Sequence, residues 1–156
     1  LSESQAVSHK TSVEQILAAT QLNLHPDSFV LVGLPPSVRP QLEADLLALT
    51  ATFFQYTVEP DVLTVLLPGL DWANLAPRYP AAQVEGPLRL FSFSVAMAWD
   101  VVGFLASVTG LLAANGIPLG AVCGYYRDHL FIAEAYAARA EAALTTELAR
   151  CRKLPQ

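Results

Sequence analysis

The sequence predicts an α+β fold built from two β-α-β-β-α-type halves, and three observations predict it. Residues 86–144 alternate strand-like and helix-like patterning in that order. Residues 28–75 repeat the order with a helical remnant at the end, and a stretch marked by Pro77, Pro80, Gly86 and Pro87 separates the two. The duplication rests on element order, because residue identity between the halves is slight.

Each element follows from local chemistry. Thr11-Ser12-Val13-Glu14 has the T-x-x-E spacing of a capping box and predicts a helix over residues 12–21 that buries Val13, Ile16 and Leu17. His25-Pro26-Asp27 reads as a turn, and residues 29–34 as a strand stopped by Pro35-Pro36. Residues 41–49 carry Leu42, Leu46 and Leu49 at helical spacing. Strand-like runs at 52–58 and 62–67 flank Glu59-Pro60-Asp61, a hairpin connection, and residues 71–75 start a short helix.

In the second half, residues 88–95 form a strand in which Phe91 and Phe93 alternate with Ser92 and Ser94, placing both rings on one face. A polar break at Trp99-Asp100 precedes a helix beginning at Val101, with Val101, Val102, Leu105, Val108, Leu111 and Leu112 on its apolar side. Asn115-Gly116 ends it. Residues 117–123 and 130–133 read as strands joined by a turn at 125–129, and residues 135–150 return to an Ala-rich helix.

Composition bounds the function. Hydrophobic residues make up 53% of the 156, enough for a large core or an added subunit interface. No apolar run approaches the ~20 residues that span a bilayer, so no membrane partner is expected. The N-terminus lacks a signal-peptide h-region; its first residue is Leu rather than Met, which leaves a trimmed start or a removed leader open. The net charge of −5 argues against nucleic acid, whose affinity comes mainly from neutralised phosphates. Cys123 and Cys151 make neither a zinc pattern nor a C-x-x-C pair and read as reduced thiols of a cytoplasmic protein. His9, His25 and His129 are scattered, so no metal site and no cofactor are expected. There is no G-x-S-x-G, no Gly-rich phosphate loop and no activating base for Cys123 beyond His129 across the hairpin, so no enzyme activity is expected and Cys123 reads as buried and inert.

The segment Asp100-Val101-Val102-Gly103 resembles the Asp-x-x-Gly mark at the first strand-helix junction of ACT domains, and Ala113-Ala114-Asn115-Gly116-Ile117 resembles their run into the second strand. Gly124-Tyr125-Tyr126-Arg127-Asp128-His129 further resembles the Gly-Tyr-Tyr-x-Asp-His signature of small stand-alone microbial ACT-like proteins, related in architecture to arginine-sensing ACT proteins. This narrower likeness covers the chain from about residue 28 onward. It implies a ferredoxin-like ACT fold with an N-terminal arm and helix (1–27), a first ACT-like half (28–80) and a second, complete ACT domain (86–150). It also implies side-by-side pairing into one continuous eight-stranded antiparallel sheet with helices on one face, and further association through the uncovered face into a homo-oligomer, a dimer.

The implied function is a regulatory or sensor protein that binds a small molecule, an amino acid, at the junction of the halves and acts on a protein partner. The rival is a protein-interaction or oligomerisation module with a degenerate ligand site. The implied site residues are Asp100, Val101, Val102, Gly103, Tyr126, Asp128 and His129.

Read on the residues alone, Asp100 caps the N–H groups of Val102 or Gly103, worth ~0.5–2 kcal/mol. The resemblance adds a ligand role, with the loop N–H groups and helix dipole taking a carboxylate and Asp100 an α-ammonium. Asp128 is equally a solvated turn residue or the partner of a ligand ammonium or guanidinium, with Tyr126 or His129 supplying a hydrogen bond. Arg127 reads as a solvated turn residue, Tyr125 as a core cover, and Trp72 and Trp99 as packing residues. The two aromatics of the first strand also suit an RNA-recognition motif, but the third strand lacks that module's basic, Gly-containing aromatic signature.

Overall fold

The computed structural model describes residues 12–96 and 98–155. The chain folds as α1 (Val13–Ala19), β1 (Gln21–Leu34), α2 (Arg39–Leu47), β2 (Gln55–Val58), β3 (Leu63–Pro68), α3 (Gly69–Leu75), β4 (Gln83–Ser94), α4 (Phe104–Ala114), β5 (Gly120–Cys123), β6 (Arg127–Ala133) and α5 (Glu134–Arg152). After α1 this is β-α-β-β-α twice, the ferredoxin-like ACT fold. The strands form one antiparallel sheet in the order β2-β3-β1-β4-β6-β5. It has six strands rather than eight, because each half supplies three and the two first strands, β1 and β4, pair with each other across the seam.

Both helical layers lie on one face. Val32, Leu34, Leu63, Val65 and Leu67 pack beneath Leu42 and Leu46 of α2 and Trp72 and Leu75 of α3. Phe91, Phe93, Leu130 and Ile132 pack beneath Ile16 and Leu17 of α1, Phe104, Val108 and Leu112 of α4, and Ala140, Leu144 and Leu148 of α5. Opposed residues of an antiparallel pair share a face, and the pairs Leu24↔Phe91 and Val32↔Val65 join the two layers through β1. The N-terminal helix thus serves the core of the second half. Its terminal carbonyls, Ala18 O and Thr20 O, accept from Arg152 at the end of α5 at 3.2 and 2.8 Å.

Several boundaries moved for identifiable reasons. Thr11 lies outside the described residues, and the capping box is formed one residue later, by Ser12 and Gln15, with bonds of 3.2 and 2.8 Å. His25-Pro26-Asp27 is not a turn that ends a strand but a bulge inside β1: Leu24 pairs with Phe91 and Ser28 with Arg89, so two extra residues stand opposite β4. The Arg89 guanidinium fills the gap by donating to His25 O at 2.9 Å. β4 begins at Gln83, inside the stretch expected to be a connector, because Gln83, Val84 and Glu85 find partners in Gly33, Val32 and Leu31. Residues 52–54 leave the sheet, and Phe53 packs on the helix-free face against His25, Phe29 and His129 with ring centroids 5.8, 6.1 and 4.8 Å away. Trp72 is buried and stacks on Tyr79, as expected of a packing residue.

The helix-free face carries two polar rungs across the seam, each centred on a β4 serine. Ser94 Oγ accepts from Asn23 Nδ2 at 3.2 Å and Arg127 Nε at 3.1 Å. Ser92 Oγ lies 2.9 Å from His25 Nε2 and 2.6 Å from His129 Nδ1. The single Ser92 hydroxyl hydrogen serves one ring while the oxygen accepts from the other, an arrangement complete with both imidazoles neutral. Burial holds His25 below the ordinary imidazole pKa, opposed by Asp27. Burial does the same at His129, reinforced by His25 and Arg127 and opposed by Asp128.

Because the folded-state pKa values are lowered, the unfolded chain binds more protons. Stability is therefore complete above the ordinary imidazole pKa of about 6.5 and falls as pH drops from there through the folded-state values. Urea unfolding at pH 7.5 and pH 5.5 is expected to give the lower free energy at pH 5.5. A His25→Asn, His129→Gln double variant should flatten that difference, and an undiminished slope would remove this pair as its source.

Candidate functional site

The β4–α4 loop and the β5–β6 hairpin enclose a cavity of about 300 Å³ at the loop end of the second half, at the small end of the range typical of small-molecule sites. The loop's shape is set by Gly103, at φ +99°, where an added Cβ would also come within 3.3 Å of Val13 Cγ2 on α1. That left-handed residue delays the helix to Phe104, and its carbonyl accepts the first helical bond, from Ser107 N at 2.9 Å. Asp100 is consequently three residues too early to cap α4; it lies in a turn closed by Val101 N donating to Ala98 O. No side chain caps the helix, so the N–H groups of its first turn, at Phe104, Leu105 and Ala106, have no intrahelical partner, and these three residues line the cavity. The far end of α4 closes as the sequence predicts, with Gly116 at φ +65° and Ile117 N donating to Leu112 O at 3.0 Å.

Opposite the helix terminus stands Asp128. Strand alternation on β6 decides which side chains of the Asp128-His129 pair reach the cavity. Asp128 opposes Phe93 and Cys123 and turns to the helix face, whereas His129 opposes Ser92 and turns to the other. Asp128 is only 9% exposed and lines the cavity. Cys123 stands directly opposite it on β5, and the nearby carboxylate, with burial second, raises the Cys123 thiol above its ordinary pKa. The shift keeps Cys123 protonated, although it is exposed rather than buried.

Of the residues expected at a site, Val101, Gly103, Tyr126 and Asp128 meet on this wall. Asp100, Val102 and His129 do not: Asp100 and Val102 point to solvent, and His129 belongs to the Ser92 rung on the opposite face. The wall lies within the second half rather than at the junction of the halves. Sequence reasoning passed over Ala98, Phe104, Leu105, Ala106 and Cys123; the helical spacing of Leu105 gave it a core role, and only the true helix start brings its backbone to the cavity.

The rim is apolar and open. Trp99 is 99% exposed and Tyr125 92%, so neither packs on the core as expected, and Val102 and Tyr126 are exposed beside them. Arg127 is solvent-exposed, as read from the sequence. The matching corner of the first half, where Pro35-Pro36 leads directly into a short helical turn, has no equivalent cavity among those described.

The sequence model of the ACT domain matches residues 83–146, which span β4 through most of α5 and contain the whole cavity wall. This segment is an ACT domain. Solved structures extend the likeness of fold over both halves. A Vibrio cholerae protein of unknown function, described as a possible transport protein, superposes with a TM-score of 0.69 at 23% identity, over 88% of this chain and 96% of that one. An Agobacterium tumefaciens protein gives 0.62 at 21% identity, over 83% and 89%. The regulatory subunit of aspartate kinase from Thermus thermophilus, in a ligand-free form, gives 0.61 at 13% identity, over 83% and 98%. No curated protein matches the chain. Among the described residues no ACT-domain helix, nor any other, is long and apolar enough to cross a membrane.

Proposed function

We propose that this protein is a regulatory module that reversibly binds an amino acid in the cavity of its ACT domain. The observation that carries the reading is that Asp128, a residue 9% exposed, and the uncapped N-terminus of α4 line one cavity. A carboxylate on the cavity wall suits a ligand α-ammonium, which it can take in a charge-assisted bond. The α4 N–H groups and helix dipole suit the ligand's α-carboxylate. The two ends of a zwitterion thus meet complementary groups. The regulatory subunit of aspartate kinase among the similar structures supports a regulatory role.

A thermal-shift screen with the proteinogenic amino acids tests this. Ligand at ~100 times its dissociation constant stabilises the native state by ~2.7 kcal/mol, a rise of roughly 5–10 °C for a chain of this size. Asp128→Asn is expected to weaken binding about 10- to 150-fold, the equivalent of a ~1.5–3 kcal/mol charge-assisted bond, while the protein stays folded. Asp100→Ala, off the wall, is the control. Binding unchanged by Asp128→Asn would remove the carboxylate from the site.

A second reading draws on the exposed Trp99, Val102, Tyr125 and Tyr126, an apolar rim suited to docking a protein partner or a second copy. A flat amino-acid screen together with a dimer that Trp99→Ala and Tyr126→Ala dissociate would favour it.

A further inference from the structure

We infer that the ligand of this site is an amino acid with an unbranched or lightly branched apolar side chain, an inference that rests on the proposed amino-acid site. Among the described residues Asp128 is the one carboxylate on the cavity wall, and the α-ammonium consumes it. A second cationic group on the ligand, as in lysine or arginine, would find no anion there, since Asp100 faces solvent on the other side of the loop. An acidic side chain fares no better. Arg127 borders the wall, but strand alternation turns its side chain to the helix-free face, where its Nε donates to Ser94. What remains is mainly apolar: Ala98, Val101, Phe104, Leu105 and Ala106, with the exposed rings of Trp99 and Tyr125 at the open rim.

These side chains come from the loop and the first turn of α4, whose backbone is suited to the carboxylate. A ligand anchored at both polar ends therefore directs its Cβ along them. An apolar wall gains by covering hydrocarbon and loses by burying an unpaired charge. Discrimination against charged side chains thus needs no dedicated contact.

The test is isothermal titration of the full chain with the homologous series alanine, 2-aminobutyrate, norvaline and norleucine, alongside leucine, lysine, arginine, aspartate and glutamate. Affinity is expected to rise about fourfold per added methylene until the wall is covered, with the charged amino acids at least about tenfold weaker than norvaline. Leu105→Asp should reverse the order by disfavouring norvaline and favouring lysine. Tight binding of arginine or glutamate, or a series flat from alanine to norleucine, would overturn the apolar class and leave the amino-acid site standing. If no amino acid binds, the proposed function fails and this inference with it.

Discussion

Truncating Phe91 to alanine is expected to lower the unfolding free energy by about 3–5 kcal/mol and the melting temperature by roughly 6–20 °C. Phe91 is completely buried and stands on β4 between Leu24 of β1 and Leu130 of β6, beneath the helices of the second half. β4 is both the first strand of one half and the seam partner of the other, so the cavity left there lies under the joint itself. Urea unfolding should remain a single transition, with β1 and β4 separating together. Two transitions, or a loss below ~1 kcal/mol, would mean that the halves unfold independently of this packing.

The second large effect is expected at the N-terminal helix. Leu17→Ala should cost about 2–5 kcal/mol, because Leu17 is 4% exposed and sits in the same core as Phe104 and Leu148. A helix of seven residues is not stable in isolation; α1 persists through its tertiary contacts, its capping box and the Arg152 bonds to its final carbonyls. Val13 of α1 also backs Gly103 in the cavity loop. Loosening the helix is therefore expected to reduce ligand affinity along with stability, readable by titrating the variant at a temperature where it stays folded. A stable Leu17→Ala protein would show that the helix contributes no packing of consequence.

The candidate site was legible in part. The Asp128 carboxylate and the Gly103 loop were marked by short, chemically dense stretches, and both face the cavity. The Gly-Tyr-Tyr-x-Asp-His resemblance puts His129 at the site beside Asp128, but on a strand adjacent side chains point to opposite faces. The Asp-x-x-Gly resemblance implies a ligand role for Asp100 and its place before a helical apolar pattern implies a cap, yet neither reveals that Gly103 takes a positive φ and moves the helix start. The apolar wall went unnoticed because Phe104 and Leu105 look, one residue at a time, like ordinary core.

By itself the sequence determined the order and type of the elements, since strand and helix periodicities, the capping motif before Val13 and the Asn115-Gly116 stop are local interactions. Two halves also followed from the element order, and helices on one face from the resemblance to ACT domains. Only the tertiary structure decided that β1 runs through His25-Pro26-Asp27, that β4 begins in the proline-marked connector, that the first strands pair to give six strands, and that the cavity lies inside the second half. The reason is common to the first three: backbone groups that look unpartnered in a local window are satisfied by strands about 50–70 residues away, and a local reading holds no information about that partner; the cavity follows from the positive φ of Gly103, which no periodicity marks.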